Sequence, residues 1–181
     1  MSRRTWWLLL LLLTGSSSAL ASTPPSTQGN AACEVWQREL SFAQSVQRHD
    51  TAAFASHVTT DAVFDANTGK PVYGSVAIVK GWAAIIAGKT IHLSWYPQYV
   101  VATGDGNLAY SSGTYLFEDL APEANPRYTI GKFSTMWQRG QDGVWRVAFD
   151  GGDEGKPASD AEATAFHSGL QLQCPAGTGR G

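Results

Sequence analysis

From Thr90 onward the chain reads as a succession of long alternating runs punctuated by tight-turn chemistry. The turns are Gly104-Asp105-Gly106-Asn107 and Asp142-Gly143. Such turns join antiparallel neighbours, so the spacing predicts four long strands, over 90–103, 108–120, 128–139 and 144–150. Pro97 interrupts or bends the first, because proline has no N–H to give a ladder. A polar, proline-bearing loop, 121–126, joins the second to the third.

The preceding part has a helical period. Between Cys33 and Arg48, the residues Val35, Trp36, Leu40, Phe42, Ala43 and Val46 fall on one broad face. Asp50 is suited to cap a short second helix through His57. Asp61 to Asn67 alternates around Val63 and Phe64 and reads as a strand, with turn residues up to Pro71. Ser75 is suited to cap a third helix expected over 76–87, striped by Ile78, Trp82 and Ile85 and stopped at Gly88. This order predicts an α+β domain. Three N-terminal helices pack on a strongly bent antiparallel sheet, which closes into a cone-shaped fold with a hollow.

Arg3 and Arg4 precede a leucine-rich run, Trp6 to Leu13, that is too short to span a bilayer. Ala19 and Ala21 follow in the small-residue pattern of a processing site. The expected organisation is a signal peptide over 1–21, a flexible Ser/Thr/Pro-rich leader over 22–32, the cone domain over 33–152 and a C-terminal tail over 153–181. A short helix is expected in the tail between Asp160 and Leu172. The basic start and the leucine run leave the twin-arginine and general secretory routes both open. Either predicts a periplasmic or extracellular protein with no stable membrane insertion after cleavage. Loss of the two signal arginines leaves 11 basic residues against 15 acidic ones. No basic patch remains, which argues against nucleic acid as a partner. In an oxidising compartment Cys33 and Cys174 are expected to form a disulfide, two free thiols being the alternative.

The stretch from Glu39 to Gly152 resembles the domain of unknown function 4440 family. That family belongs to the nuclear-transport-factor-2-like superfamily, with its ketosteroid-isomerase-like and SnoaL-like members. The resemblance rests on Glu39-x-x-Phe42, Asp61-Ala-Val-Phe64, Gly74, Trp95-x-Pro97, Gly104-Asp105 and Gly113-x-Tyr115. It continues in Gly131-Lys132-Phe133 with Trp137, Asp142-Gly143-x-Trp145 and Asp150-x-Gly152. It implies the cone fold, in a superfamily of isomerases, cyclases, dehydratases, binding modules and assembly domains. Set against ketosteroid isomerase, the oxyanion tyrosine falls on Phe42 and the general-base aspartate on Ala66. Neither side chain can do that chemistry. The neighbouring Asp65 is expected on the opposite face of its strand, because strand side chains alternate.

Glu39 is the candidate catalytic residue, since it sits inside the apolar face of the first helix. A carboxylate there is either a pocket acid or base with a raised pKa, or a structural group bonded to a Trp N–H, a tyrosine or a lysine. The candidate ligand-binding residues are Trp82, Trp95, Tyr110, Tyr115, Lys132, Trp137 and Asp150. The aromatic members equally suit core packing, or a homodimer through the outer sheet face. If Trp145, Val147 and Phe149 share the apolar side, Asp150 points the other way. There it either binds backbone N–H groups at the strand end or orients a ligand from the rim. The four histidines lack metal-ligand spacing, and no phosphate-binding or dinucleotide fingerprint is present. Neither a metal nor a cofactor is expected. Three functions remain: binding of a small apolar or aromatic molecule, acid–base catalysis through Glu39, or a pocketless dimerisation or scaffold domain.

Overall fold

The computed structural model describes residues 27–178, with side chains from residue 30. The expected signal peptide and residues 22–26 of the leader lie outside the described residues. Helix α1 spans Thr27–Gln47, so it begins well before Cys33 and takes in residues 27–32 of the expected leader. The reason is packing: Ala31 and Ala32 are buried and carry the apolar stripe one turn upstream of Val35 and Trp36. Helix α2, Thr51–Ser56, starts at Asp50, whose Oδ1 accepts from Ala53 N at 2.9 Å. Helix α3, Ser75–Ala87, ends on Gly88 with φ +62°, a left-handed conformation that favours glycine. Among the described residues no helix is long and apolar enough to cross a membrane.

Among the described residues seven strands form one sheet: β1 Val58–Phe64, β2 Val72–Tyr73, β3 Ile91–Ala102, β4 Leu108–Asp119, β5 Tyr128–Arg139, β6 Trp145–Gly152 and β7 Lys156–Ala158. Their order is β2-β1-β6-β5-β4-β3. All pairings are antiparallel except β1 with β6, which run parallel. β7 pairs with Tyr128 to Ile130 at the end of β5 that β6 leaves unpaired. The sheet bends where β3 slips register between Pro97 and Tyr99. Opposite Pro97 stands Gly113, where a Cβ would collide with the Tyr96 carbonyl. Only glycine lets the two backbones approach this closely.

The bent sheet wraps α1, and α3 closes the remaining side. Phe42 of α1 meets Phe54 at 5.0 Å and Trp95 edge-on at 5.3 Å between ring centroids. Trp82 of α3 continues the cluster to Phe54, Phe64 and Trp95. Each large apolar side chain buried here contributes about 1.5–3 kcal/mol, so this cluster fixes how the helices sit in the sheet.

The tail is structured. Helix α4, Asp160–Ser168, opens with a capping box between Ser159 and Glu162. It lies on the outer sheet face, where Phe166 stacks against Tyr96 at 4.8 Å and accepts its hydroxyl proton at the backbone carbonyl, 2.9 Å away. The chain then returns to α1. Trp36 Nε1 donates to Gln171 O at 3.2 Å, and Cys33 and Cys174 form the expected disulfide. Because α4 covers Tyr96, the outer face left bare is a strip containing Tyr110, Met136 and Phe149.

Candidate functional site

β6 contains the local feature that builds the site. Val147 pairs with Trp137, but Phe149 pairs with Met136, so Ala148 is an extra residue. This bulge shifts the alternation by one. Trp145 and Val147 face inward, Phe149 is 47% exposed on the outside, and Asp150 turns inward opposite the buried Thr135. The expected grouping of Phe149 with Trp145 and Val147 is therefore overturned, and Asp150 belongs to the interior.

Asp150 reaches a cavity of about 310 Å³. The walls are largely apolar, with Phe42, Trp82, Ile85, Leu93, Trp95 and Phe133 among them. Thr135 Oγ1 donates to Asp150 Oδ2 at 2.7 Å. Oδ1 accepts no hydrogen bond among the described residues. The residue is partly buried and borders both this cavity and a groove on the outer side. Burial pushes its pKa up to about 7 against the pull of the Thr135 hydroxyl, and the carboxyls of Glu39 and Asp65 add to the rise. Such a group changes charge near neutral pH.

Asp65 also lines the cavity. β1 has ended at Phe64, and Asp65 adopts a left-handed conformation with φ 58°. Strand alternation therefore does not apply to it, which corrects the expectation that it faces away. Burial raises its pKa as well. Ala66, by contrast, borders a separate groove on the outer face. At the mouth stand Asp153, Glu154 and Thr68. Asp153 Oδ1 accepts from the backbone N–H groups of Lys132 and Gly155, and the Tyr115 hydroxyl donates to Asp153 O at 2.8 Å.

Glu39 does not line the cavity. It is fully buried behind Trp95 and holds three side chains together. Trp95 Nε1 donates to Oε1 at 2.7 Å, while Ser111 Oγ and Trp137 Nε1 donate to Oε2 at 2.5 and 2.9 Å. Burial raises its pKa, and the hydrogen bonds from Ser111, Trp95 and Trp137 oppose that rise. These bonds match the structural alternative expected for Glu39, a carboxyl bonded to Trp N–H groups, and the residue is not on the cavity wall. Its carboxylate joins α1 to β3, β4 and β5.

Of the candidate ligand-binding residues, the structure brings Trp82, Trp95, Tyr115 and Asp150 together around the cavity. Trp137 is buried beneath, as a donor to Glu39. Tyr110 and Lys132 lie in the outer groove, on the opposite side of the sheet, so neither belongs to the cavity. Sequence reasoning missed Asp65, Leu93, Asp153 and Glu154 as lining residues, and Ser111 and Thr135 as partners of the buried acids. Ser111 and Thr135 left a signal, since each is a polar residue in step with an inward stripe. Among the described residues, no group of three or more His, Cys, Asp or Glu side chains could hold a metal ion.

No family model matches the chain, and no curated protein matches it. Solved structures do. A nuclear-transport-factor-2-like superfamily protein from Salmonella enterica superposes with a TM-score of 0.56 at 16% identity, over 72% of this chain and 94% of that one. A protein of that type and unknown function from Pseudomonas putida gives 0.56 at 16%, over 72% and 95%. A ketosteroid isomerase-like protein from Erwinia carotovora gives 0.52 at 15%, over 67% and 92%. The resemblance to the domain of unknown function 4440 family finds no matching family model, and the broader likeness is one of fold. The chain is built on the nuclear-transport-factor-2-like, ketosteroid-isomerase-like cone.

Proposed function

We propose that this protein binds a small, largely apolar molecule in the cone. Asp150 Oδ1 engages the polar end of that molecule. One observation carries the reading: a carboxyl oxygen with no protein partner faces an aromatic-walled cavity. An accessible acceptor without a protein donor is free to take a ligand donor, and a hydrogen bond made in so apolar a setting is stronger than one made in water. The cavity volume sits at the small end of ligand sites, which run from about 300 to 1,000 Å³. The cavity also favours this reading over a pocketless scaffold.

Acid–base catalysis is the second reading, and the pKa of about 7 at Asp150 favours it. A carboxyl that is half ionised near neutrality can take a proton from a bound substrate and return it elsewhere. Isomerisation and dehydration both need such a step. The ketosteroid isomerase-like neighbour makes that class worth testing, with Asp150 in place of the absent pair at Phe42 and Ala66. We further propose that the protein works in an oxidising compartment outside the cytoplasm, a reading that the Cys33–Cys174 disulfide supports.

Native mass spectrometry of the protein purified from its own host tests the binding. The expected result is a bound small molecule that is lost from Asp150→Asn while the fold is kept. A cavity that is empty in both proteins, and that takes up nothing from a host metabolite extract, would overturn the proposal. For the second reading, the extracted ligand is incubated with the protein in deuterated water. Deuterium entering it with wild type but not with Asp150→Asn is the expected signature.

A further inference from the structure

We infer that the ligand of this cone is an organic cation, an amine or quaternary ammonium carried on an apolar body. The inference rests on the binding proposed above and adds the chemical class of the ligand. Its basis is the composition of the cavity wall. Four carboxyl groups line the cavity, Asp65 and Asp150 inside and Asp153 and Glu154 at the mouth. No lysine, arginine or histidine lines it among the described residues. A neutral apolar ligand gives no reason for that imbalance, and an anionic ligand would be repelled by it.

The partners available to these acids separate them further. Asp153 is spoken for by the Lys132 and Gly155 backbone N–H groups. Asp150 lines the cavity and has only the Thr135 hydroxyl, on Oδ2, while its Oδ1 has no donor among the described residues. Lys132 lines the outer groove, which Asp150 also borders, but among the described residues it forms no ion pair with Asp150 and does not figure among the causes of its pKa shift. Behind Asp150, Glu39 is satisfied by two indoles and a serine and supplies no positive charge. A cation entering the cavity supplies Asp150 with a counter-charge that no ion pair within the described residues gives it.

The remaining walls suit the same class. Trp82 and Trp95 stand at 74° to each other, with ring centroids 6.2 Å apart, and Phe42 meets Trp95 at 79°. An aromatic ring that borders a cavity attracts a cation placed over its negative face. An apolar body is held by the same rings and by Leu93 and Ile85. Cation, aromatic wall and unpaired carboxyl are thus complementary in one volume.

Three probes of matched size test this. They are benzyltrimethylammonium, its neutral isostere neopentylbenzene, and phenylacetate. Binding to the disulfide-intact protein is followed by quenching of tryptophan fluorescence, since Trp82 and Trp95 line the cavity. The expected result is that the ammonium binds at least tenfold more tightly than the isostere and that phenylacetate does not bind. Asp150→Asn should remove most of the preference while leaving the isostere unaffected. Glu154→Gln, at the exposed mouth, should reduce the preference about twofold to threefold. Equal or tighter binding of the isostere or of phenylacetate overturns the inference while the binding reading stands. If none of the three binds, both fall.

Discussion

Replacing Asp150 by asparagine should stabilise the protein above neutral pH and leave it nearly unchanged in acid. In the folded state the carboxyl titrates at about 7, against an ordinary value of 3.8. A tenfold change in proton affinity between the folded and unfolded states corresponds to about 1.4 kcal/mol, so the ionised carboxyl costs the fold on the order of 4 kcal/mol. Water entering the cavity softens this, and a gain of about 2–4 kcal/mol is expected for the variant at pH 8. A folded-state pKa above the unfolded one means that the native protein holds a proton the unfolded chain has released. The contribution of Asp150 is therefore fully present below about pH 4 and is lost as pH rises toward 7. His57 runs the other way. It is buried, its pKa is lowered to about 4, and its contribution is lost as pH falls from 6.5 toward 4. The two windows overlap, so the wild-type profile alone is ambiguous. The difference between wild type and Asp150→Asn cancels His57 and isolates the carboxylate. Asparagine keeps the Thr135 bond through its amide oxygen, so the comparison changes charge more than geometry. The assay is guanidinium unfolding of the oxidised proteins, followed by tryptophan fluorescence at pH steps from about 4 to about 8. A difference that stays flat with pH, or a variant that is less stable at pH 8, would refute the reasoning.

The other acid gives the opposite expectation. Glu39→Gln turns an amide N–H₂ toward one of three donors, leaving about two buried polar groups unpaired and costing on the order of 2–4 kcal/mol in the same unfolding assay. Glu39→Leu takes the acceptor from Trp95 Nε1 and from the Ser111 hydroxyl, leaves Trp137 Nε1 only Ser111 Oγ at 3.1 Å, and should cost more. A loss below about 0.5 kcal/mol for both would show that the carboxylate does not anchor the sheet. Removing the disulfide with Cys33→Ser and Cys174→Ser frees a loop closed across 141 residues. The expected cost is about 2–5 kcal/mol, read as a lower guanidinium midpoint, and an unchanged midpoint would count against the bridge as a stabilising link.

The regular elements are largely readable from the residues, because period and turn chemistry are local. The stripe through Val35, Phe42 and Val46 marks α1, and Gly104 to Asn107 and Asp142-Gly143 mark hairpins that the structure contains. The site is less readable, because it depends on departures from regularity. The bulge at Ala148 reverses the facing of Asp150, and nothing in Trp-Arg-Val-Ala-Phe-Asp announces which residue is extra. The left-handed turn at Asp65 cancels a strand rule that holds up to Phe64. Tyr110 suits a pocket wall by its aromatic ring, yet its smaller neighbours Ala109 and Ser111 face the crowded interior. For Lys132 the information is present in the chain. It alternates with Phe133, so an inward phenylalanine already sends the lysine out.

The link between Cys33 and Cys174 also orders events in time. One cysteine lies near the start of the first described helix and the other beyond the last. β1 likewise finds its parallel neighbour only when β6 exists. While the ribosome is still making the chain, the leading helix has neither its sheet nor its clasp. Native pairing of such distant residues must wait until β6 and then Cys174 have emerged, and topologies of that kind fold slowly. Until then Trp36, Phe42 and Val46 stay uncovered, and the nascent protein depends on whatever shields a greasy helix in the interval.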